Sequence, residues 1–186
     1  MRAERLLQFK DRRPRRNLPT TYSRKRGESN FVSSFARIYL ASTGRGGIGG
    51  KEFALPGFGI ADFVWIAWRH DDNPAEDGAL SIEKMKLLMN RRKLTAFEMK
   101  LSDWRKGLVQ AYRYSYFADL AVVVLPPDVA AIADVKLFRN ANIGLWSFDQ
   151  IGSEIQKIFT PRCGGPISPQ AKDKAVDALG RRLKFR

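Results

Sequence analysis

The sequence is poor in the residues that build disulfides and zinc sites. Cys163 is its one cysteine and His70 its one histidine. One thiol cannot close an internal disulfide, and this pair cannot furnish a cysteine-rich zinc cage. Long apolar runs are missing too. No stretch reaches the length, about eighteen residues, that a membrane span requires, and the N-terminal arginines are not followed by the apolar segment of a secretory leader. These absences predict a cytoplasmic or nucleoid-associated protein with no membrane partner. Negative charge is scarce as well, with 19 acidic side chains against 33 Lys and Arg, a net of +14.

What is present is enough for a folded body. Hydrophobic residues are 44% of 186, which supports one domain with a sizeable core but not two. The positive charge is concentrated at the ends. Residues 1–26 hold ten basic and two acidic side chains, a net of +8, and residues 160–186 hold seven and two, a net of +5. The stretch between them is nearly neutral, at +1. Basic ends on a neutral body suit a polyanion, because each neutralised phosphate releases condensed counterions. Arg12, Arg13, Arg15 and Arg16 in the first stretch, and Arg181 and Arg182 in the last, are the candidate phosphate contacts. Pro14 and Pro19 among the arginines predict an arm that orders only on binding.

Periodicity organises the rest. Apolar residues at helical spacing predict a helix over 29–43, and the glycine-rich run 44–50 reads as a flexible connection. Strands are predicted over 51–55, 59–68 and 94–101, with a polar turn and a short helix over 81–91 between the last two. Asp103 reads as the N-cap of a helix to about residue 116, with Trp104, Leu108, Ala111 and Tyr112 inward. The apolar run 119–125 fits a strand buried on both faces. A helix over 128–138, a strand over 143–148, a short helix past Gly152 and a basic helix from about Gln170 follow. The order α-β-β-β-α-β-α-β predicts an α/β protein, a mixed sheet flanked by helices.

Two places carry charge where strands normally do not. Asp62 lies within Ile60-Ala61-Asp62-Phe63-Val64-Trp65-Ile66, where a carboxylate is costly unless paired or metal-bound. In Ala96-Phe97-Glu98-Met99-Lys100-Leu101, strand alternation projects Glu98 and Lys100 to one face and Phe97 and Met99 to the other. One carboxylate from each of two strands, with an amine beside one of them, can hold a hard divalent cation such as Mg²⁺. Taken alone, a Glu-x-Lys on a strand is most often an ordinary surface pair.

Together, the order and placement of these residues resemble the PD-(D/E)XK nuclease superfamily, the restriction-endonuclease-like fold. The resemblance rests on Asp62 on one strand, Glu98-Met99-Lys100 on the next, the helix from Trp104 and the strand ending at Pro126. It spans roughly residues 28–149. Ala61 stands where the motif's name has proline, and the interval from Asp62 to Glu98 is long, so 69–93 reads as an insertion. The implied organisation is a flexible basic arm over 1–26, a nuclease-like core over 27–152 and a basic C-terminal extension over 153–186. The resemblance implies that Asp62 and Glu98 bind Mg²⁺, with Mn²⁺ able to substitute, and that Lys100 orients the attacking water or stabilises the developing charge. It places Glu28 as an auxiliary carboxylate, with Glu52 a second candidate for that role. Gln110 and Tyr114 fit the Gln-x-x-x-Tyr pattern of some exonuclease-like members, which gives Gln110 a contact to phosphate or water. Lys106 and Arg113 share a helix face with Gln110 and are candidate nucleic-acid contacts.

The implied function is metal-dependent phosphodiester hydrolysis. DNA is the first candidate substrate and RNA the second. Endonuclease action of restriction, repair or junction-resolving type is favoured over exonuclease action, and double-strand cutting by a chain this small suggests a homodimer. Two other classes stay open: a non-catalytic nucleic-acid-binding protein on the same fold, and a small basic RNA-binding protein.

Overall fold

The structure, a computed structural model of the chain, describes residues 5–8, 21–43, 47–67 and 92–182, with side chains described over 27–43, 47–67 and 92–181. The chain runs β1 (Arg5–Gln8), α1 (Thr21–Thr43), β2 (Gly47–Leu55), β3 (Gly59–Ala67), β4 (Leu94–Met99) and α2 (Trp104–Tyr114). It continues through β5 (Leu120–Leu125), α3 (Pro127–Ala131), α4 (Val135–Ala141), β6 (Gly144–Asp149), β7 (Glu154–Phe159) and α5 (Pro169–Arg182). The strands form one seven-stranded sheet whose spatial order is the sequence order. β2, β3 and β4 are an antiparallel meander, β5 and β6 add in parallel to β4, and β7 closes the edge antiparallel to β6. At the other edge β1 pairs in parallel with β2. The molecule is thus α/β, a mixed sheet flanked by helices. None of the described helices is long and apolar enough to cross a membrane.

Both sheet faces are covered. On one, α1 lays Phe31, Phe35 and Leu40 against Phe63, Trp65, Phe97, Met99, Trp146 and Phe148. On the other, α2 and α5 cover Ile48, Val64, Ile66, Leu94, Ala96, Val123 and Leu145. Strand β5 serves both layers, with Val122 and Val124 toward α1 and Ala121, Val123 and Leu125 opposite. A strand buried on both faces needs the unbroken apolar run that its sequence shows.

Several elements differ from the sequence reading. Helix α1 begins at Thr21, so residues 21–26 belong to it. The arm expected over 1–26 contributes Arg5–Gln8 to the sheet, while Arg12, Arg13, Arg15 and Arg16 lie outside the described residues. The helix expected over 81–91 also lies outside them. The glycine run is not simply a connection, since Gly47 to Gly50 open β2. The reason is Trp65 on the neighbouring strand: a Cβ on Gly47 would stand 2.3 Å from its ring, and one on Gly49 2.7 Å. Only glycine leaves room for the indole to lie across β2.

The helix expected over 128–138 is two short helices, the second capped by the Asp134 carboxylate, which accepts from Lys136 N at 2.9 Å. Past Gly152 the chain forms β7, not a helix. A turn closed by Ile151 N donating to Asp149 Oδ1 (2.9 Å), with Ser153 at φ 56°, returns it along β6. Residues 153–182, read from the sequence as part of an extension, therefore complete the sheet and the core. Ala171, Ala175, Val176 and Leu179 of α5 are buried, and Lys172 Nζ pairs with Asp119 Oδ2 at 2.8 Å.

Candidate active site

The Glu98–Lys100 alternation predicted from sequence is what the structure has. Phe97 and Met99 pack toward α1, while Glu98 turns to the α2 side and is 1% exposed. A carboxyl buried that deeply must have partners. Lys100 Nζ donates to Glu98 Oε1, and Tyr114 Oη lies 2.6 Å from Glu98 Oε2 and 2.6 Å from the carbonyl of Ile60. A phenol has one proton and the carbonyl can only accept. Tyr114 therefore shares one proton between two acceptors, the Glu98 carboxylate and the Ile60 carbonyl. Burial raises the Glu98 pKa, and Lys100 and the Tyr114 hydroxyl oppose it. Burial works against the Lys100 ammonium, but the Glu98 carboxylate beside it, with Asp62 and Glu28, outweighs this and holds the amine above its ordinary value.

Asp62 occupies a break in the sheet's regular alternation. Ala61, Val64 and Ile66 face the α2 layer while Phe63 and Trp65 face α1, so the two-residue period fails between Ala61 and Phe63. The same failure occurs opposite, because Ile48 and Phe53 of β2 share the α2 side despite their odd separation. Lys51 pairs with Phe63 and Phe53 with Ala61, which sets Glu52, at φ 48°, directly across from Asp62. A non-glycine residue in the left-handed region interrupts the ladder here and frees Asp62 from both apolar faces. Its Oδ2 accepts from Met99 N at 2.7 Å, just past the last β3–β4 backbone pair, Phe63 with Phe97. Burial, then the neighbouring Glu98 charge, pushes the Asp62 pKa up to about 7.

Helix α2 closes over this pair. Asp103 caps it by accepting from Lys106 N at 3.0 Å. Gly107 permits close approach, since a Cβ there would be 3.0 Å from Val123 and 3.2 Å from Lys100. One turn on, the Gln110 Oε1 atom is buried with no hydrogen-bond partner among the described residues, and one turn further Tyr114 reaches Glu98. The inward residues are Trp104, Gly107, Ala111 and Tyr114; Tyr112, expected inside, is 46% exposed. Sequence reasoning did not assign Tyr114 to the site, although its place in the Gln-x-x-x-Tyr spacing was the available signal.

The structure thus brings together Asp62, Glu98 and Lys100, with Glu28 on α1 near enough for its charge to raise all three pKa values. Glu52 is exposed. Lys106 and Arg113 are exposed on α2 and Arg181 on α5, while the Arg182 side chain lies outside the described residues. Among the described residues no group of three His, Cys, Asp or Glu forms a ready-made metal cage. A buried and a half-buried carboxyl, both with raised pKa, and a single ammonium could nevertheless fit a hard dication, because Mg²⁺ takes one or two carboxylates and fills its other positions with water or phosphate oxygens. Asp62 Oδ1 makes no hydrogen bond among the described residues and could serve as a ligand atom. No family model matches the chain, and no curated protein matches it significantly in sequence.

Proposed function

We propose that the chain is a metal-dependent nuclease on a restriction-endonuclease-like core, cutting phosphodiester bonds in DNA as an endonuclease. The observation that carries this reading is the convergence, on adjacent strands of the β2–β3–β4 meander, of Asp62 with the buried Glu98 and its partner Lys100. The succession of that meander, α2 and the parallel β5 supports the same fold assignment. A carboxylate pair alone would repel a phosphate. An ammonium beside it, with a hard cation held by the two carboxyls, would reverse that.

Asp62 and Glu98 would hold Mg²⁺ or Mn²⁺, which when bound supplies Lewis-acid polarisation of the phosphate and a more acidic water. The chain's own residues do the rest. Lys100, held charged by Glu98, presents a fixed ammonium where negative charge develops. Tyr114 fixes the Glu98 carboxyl against the Ile60 carbonyl. Gln110 offers an unpartnered buried oxygen that can accept from a water. Supercoiled plasmid incubated with Mg²⁺, and in parallel with EDTA, tests the proposal. Nicking or linearisation only with the metal is the expected result, and an intact plasmid under both conditions rejects it. A second reading, a nucleic-acid-binding protein without turnover, draws on Lys100 and Tyr114 already engaging both Glu98 oxygens; it requires binding with no cutting in the same assay.

A further inference from the structure

Helix α2 and the turn after it carry an exposed stripe that the catalytic reading leaves unused. Val109, Tyr112 and Tyr116 are 58%, 46% and 37% exposed. At about 100° of rotation per residue, Val109 and Tyr112 point away from the arc that packs on the sheet. Tyr112 and Tyr116 meet edge to face, with centroids 6.3 Å apart and planes at 90°, and Tyr116 meets Phe58 at 5.8 Å. Phe58 lies in the turn between β2 and β3, four residues before Asp62. Tyr114, between the two tyrosines in sequence, is bonded to Ile60 and Glu98. The stripe therefore ends at the margin of the candidate site. Along its flank, on the side of the helix that carries Gln110, Lys106 and Arg113 are exposed.

A row of rings beside a row of cations matches one kind of polyanion better than others. Unpaired bases present π faces that stack on aromatic side chains, while their phosphates meet the cations. A continuous duplex keeps its base faces inside the stack and would gain the cations alone. A neutral apolar partner would gain the rings but strip water from Lys106 and Arg113 without pairing them. We infer that the Tyr112–Tyr116–Phe58 stripe is a platform for an unpaired polynucleotide strand. The substrate class is then nucleic acid with a single-stranded tail, flap or loop beside the bond to be cut. This rests on the nuclease reading for the word substrate, whereas the platform itself is measurable without turnover.

The experiment is fluorescence anisotropy in EDTA with labelled oligo(dT) and a blunt duplex of equal length. In Tyr112→Ala/Tyr116→Ala the affinity for oligo(dT) relative to duplex falls by roughly tenfold or more, the scale of losing stacked bases. Tyr112→Ala alone, changing the more exposed ring, moves the ratio in the same direction. Tyr112→Phe/Tyr116→Phe keeps the ring faces and restores the ratio. An unchanged ratio overturns the inference, as does parental self-association abolished by the double alanine variant, which would make the stripe a protein interface. Cutting is scored separately on the parent with Mg²⁺, on plasmid and on a duplex carrying a single-stranded flap. Tyrosine-dependent oligo(dT) binding without cutting keeps the platform and removes the nuclease reading, and cutting with tyrosine-independent binding removes the platform alone.

Discussion

Asp62 shows how a single side chain couples folding to pH. Its carboxyl titrates near 7 in the folded chain against 3.8 for the free group, because burial and Glu98 both disfavour the anion. The native state therefore binds the proton more tightly than the unfolded state. Stabilisation from the protonated form is complete below about pH 4 and is lost as the pH rises through about 7. Asp62→Asn, which cannot ionise, should gain stability relative to the parent across that window when both are unfolded by urea in EDTA at a series of pH values. A difference that stays flat with pH would assign Asp62 an ordinary pKa. Under the proposed mechanism the same variant also loses a metal ligand, and it should not cut. Lys100→Met acts differently. It removes one fixed charge from the site, so the expected loss is about 10²–10³ in single-turnover rate. Near-parental turnover by a folded Lys100→Met protein would take Lys100 out of the mechanism.

At the scale of elements, the site depends on how closely α2 rides on β4 and β5. Gly107 makes that approach possible, at a propensity cost of about 1 kcal/mol relative to alanine in a helix. The compensation is close packing: a Cβ at this position would crowd Val123 at 3.0 Å and Lys100 at 3.2 Å. Val123 is buried and β-branched and cannot swing aside. Gly107→Val should accordingly destabilise the fold by about 1–3 kcal/mol through overpacking. It should also move Gln110 and Tyr114 away from Glu98, lowering turnover in molecules that remain folded. Thermal denaturation beside single-turnover cleavage reads both effects, and an unchanged melting temperature would show that α2 has slack. Trp65 over Gly47 and Gly49 is the equivalent close approach at the far end of the meander.

For the whole molecule the governing quantity is the +14 charge and where it lies. The α2 cations are few, and the densest positive run is Arg12, Arg13, Arg15 and Arg16. Replacing those four by alanine leaves Asp62, Glu98, Lys100 and the paired segment Arg5–Gln8 unaltered. Binding should weaken, and the slope of log affinity against log salt should flatten by roughly 0.9 for each phosphate no longer neutralised. Cutting should persist at low salt with saturating DNA. A salt slope unchanged by the four substitutions would show that the arm does not touch phosphate. Deleting the whole stretch 1–26 is a poorer test, since it removes β1 and the first turns of α1 as well as charge.

The local content of this protein was legible in its sequence. Alternation in Phe97-Glu98-Met99-Lys100 placed the acid and the amine on one face, the apolar run of β5 announced a strand buried on both sides, and Asp103 marked the start of α2. Each is a property of neighbours in the chain, set by periods of 2 and 3.6 or by a cap one turn away. What the sequence pattern could not show is decided by residues far apart in it. Residues 47–50 became strand because Trp65 needs a surface without Cβ atoms. Residues 154–159 became β7 because β6 presents an open edge to pair with. Tyr114 rather than Tyr112 turned inward because Glu98 and Ile60 together offer its hydroxyl two partners. Asp62 could be seen as misplaced in an apolar strand, but not why it is tolerated there. That depends on the irregular backbone at Glu52 across the pair and on the Met99 amide from the next strand. Such contacts form only once three strands are laid side by side, so no local period encodes them.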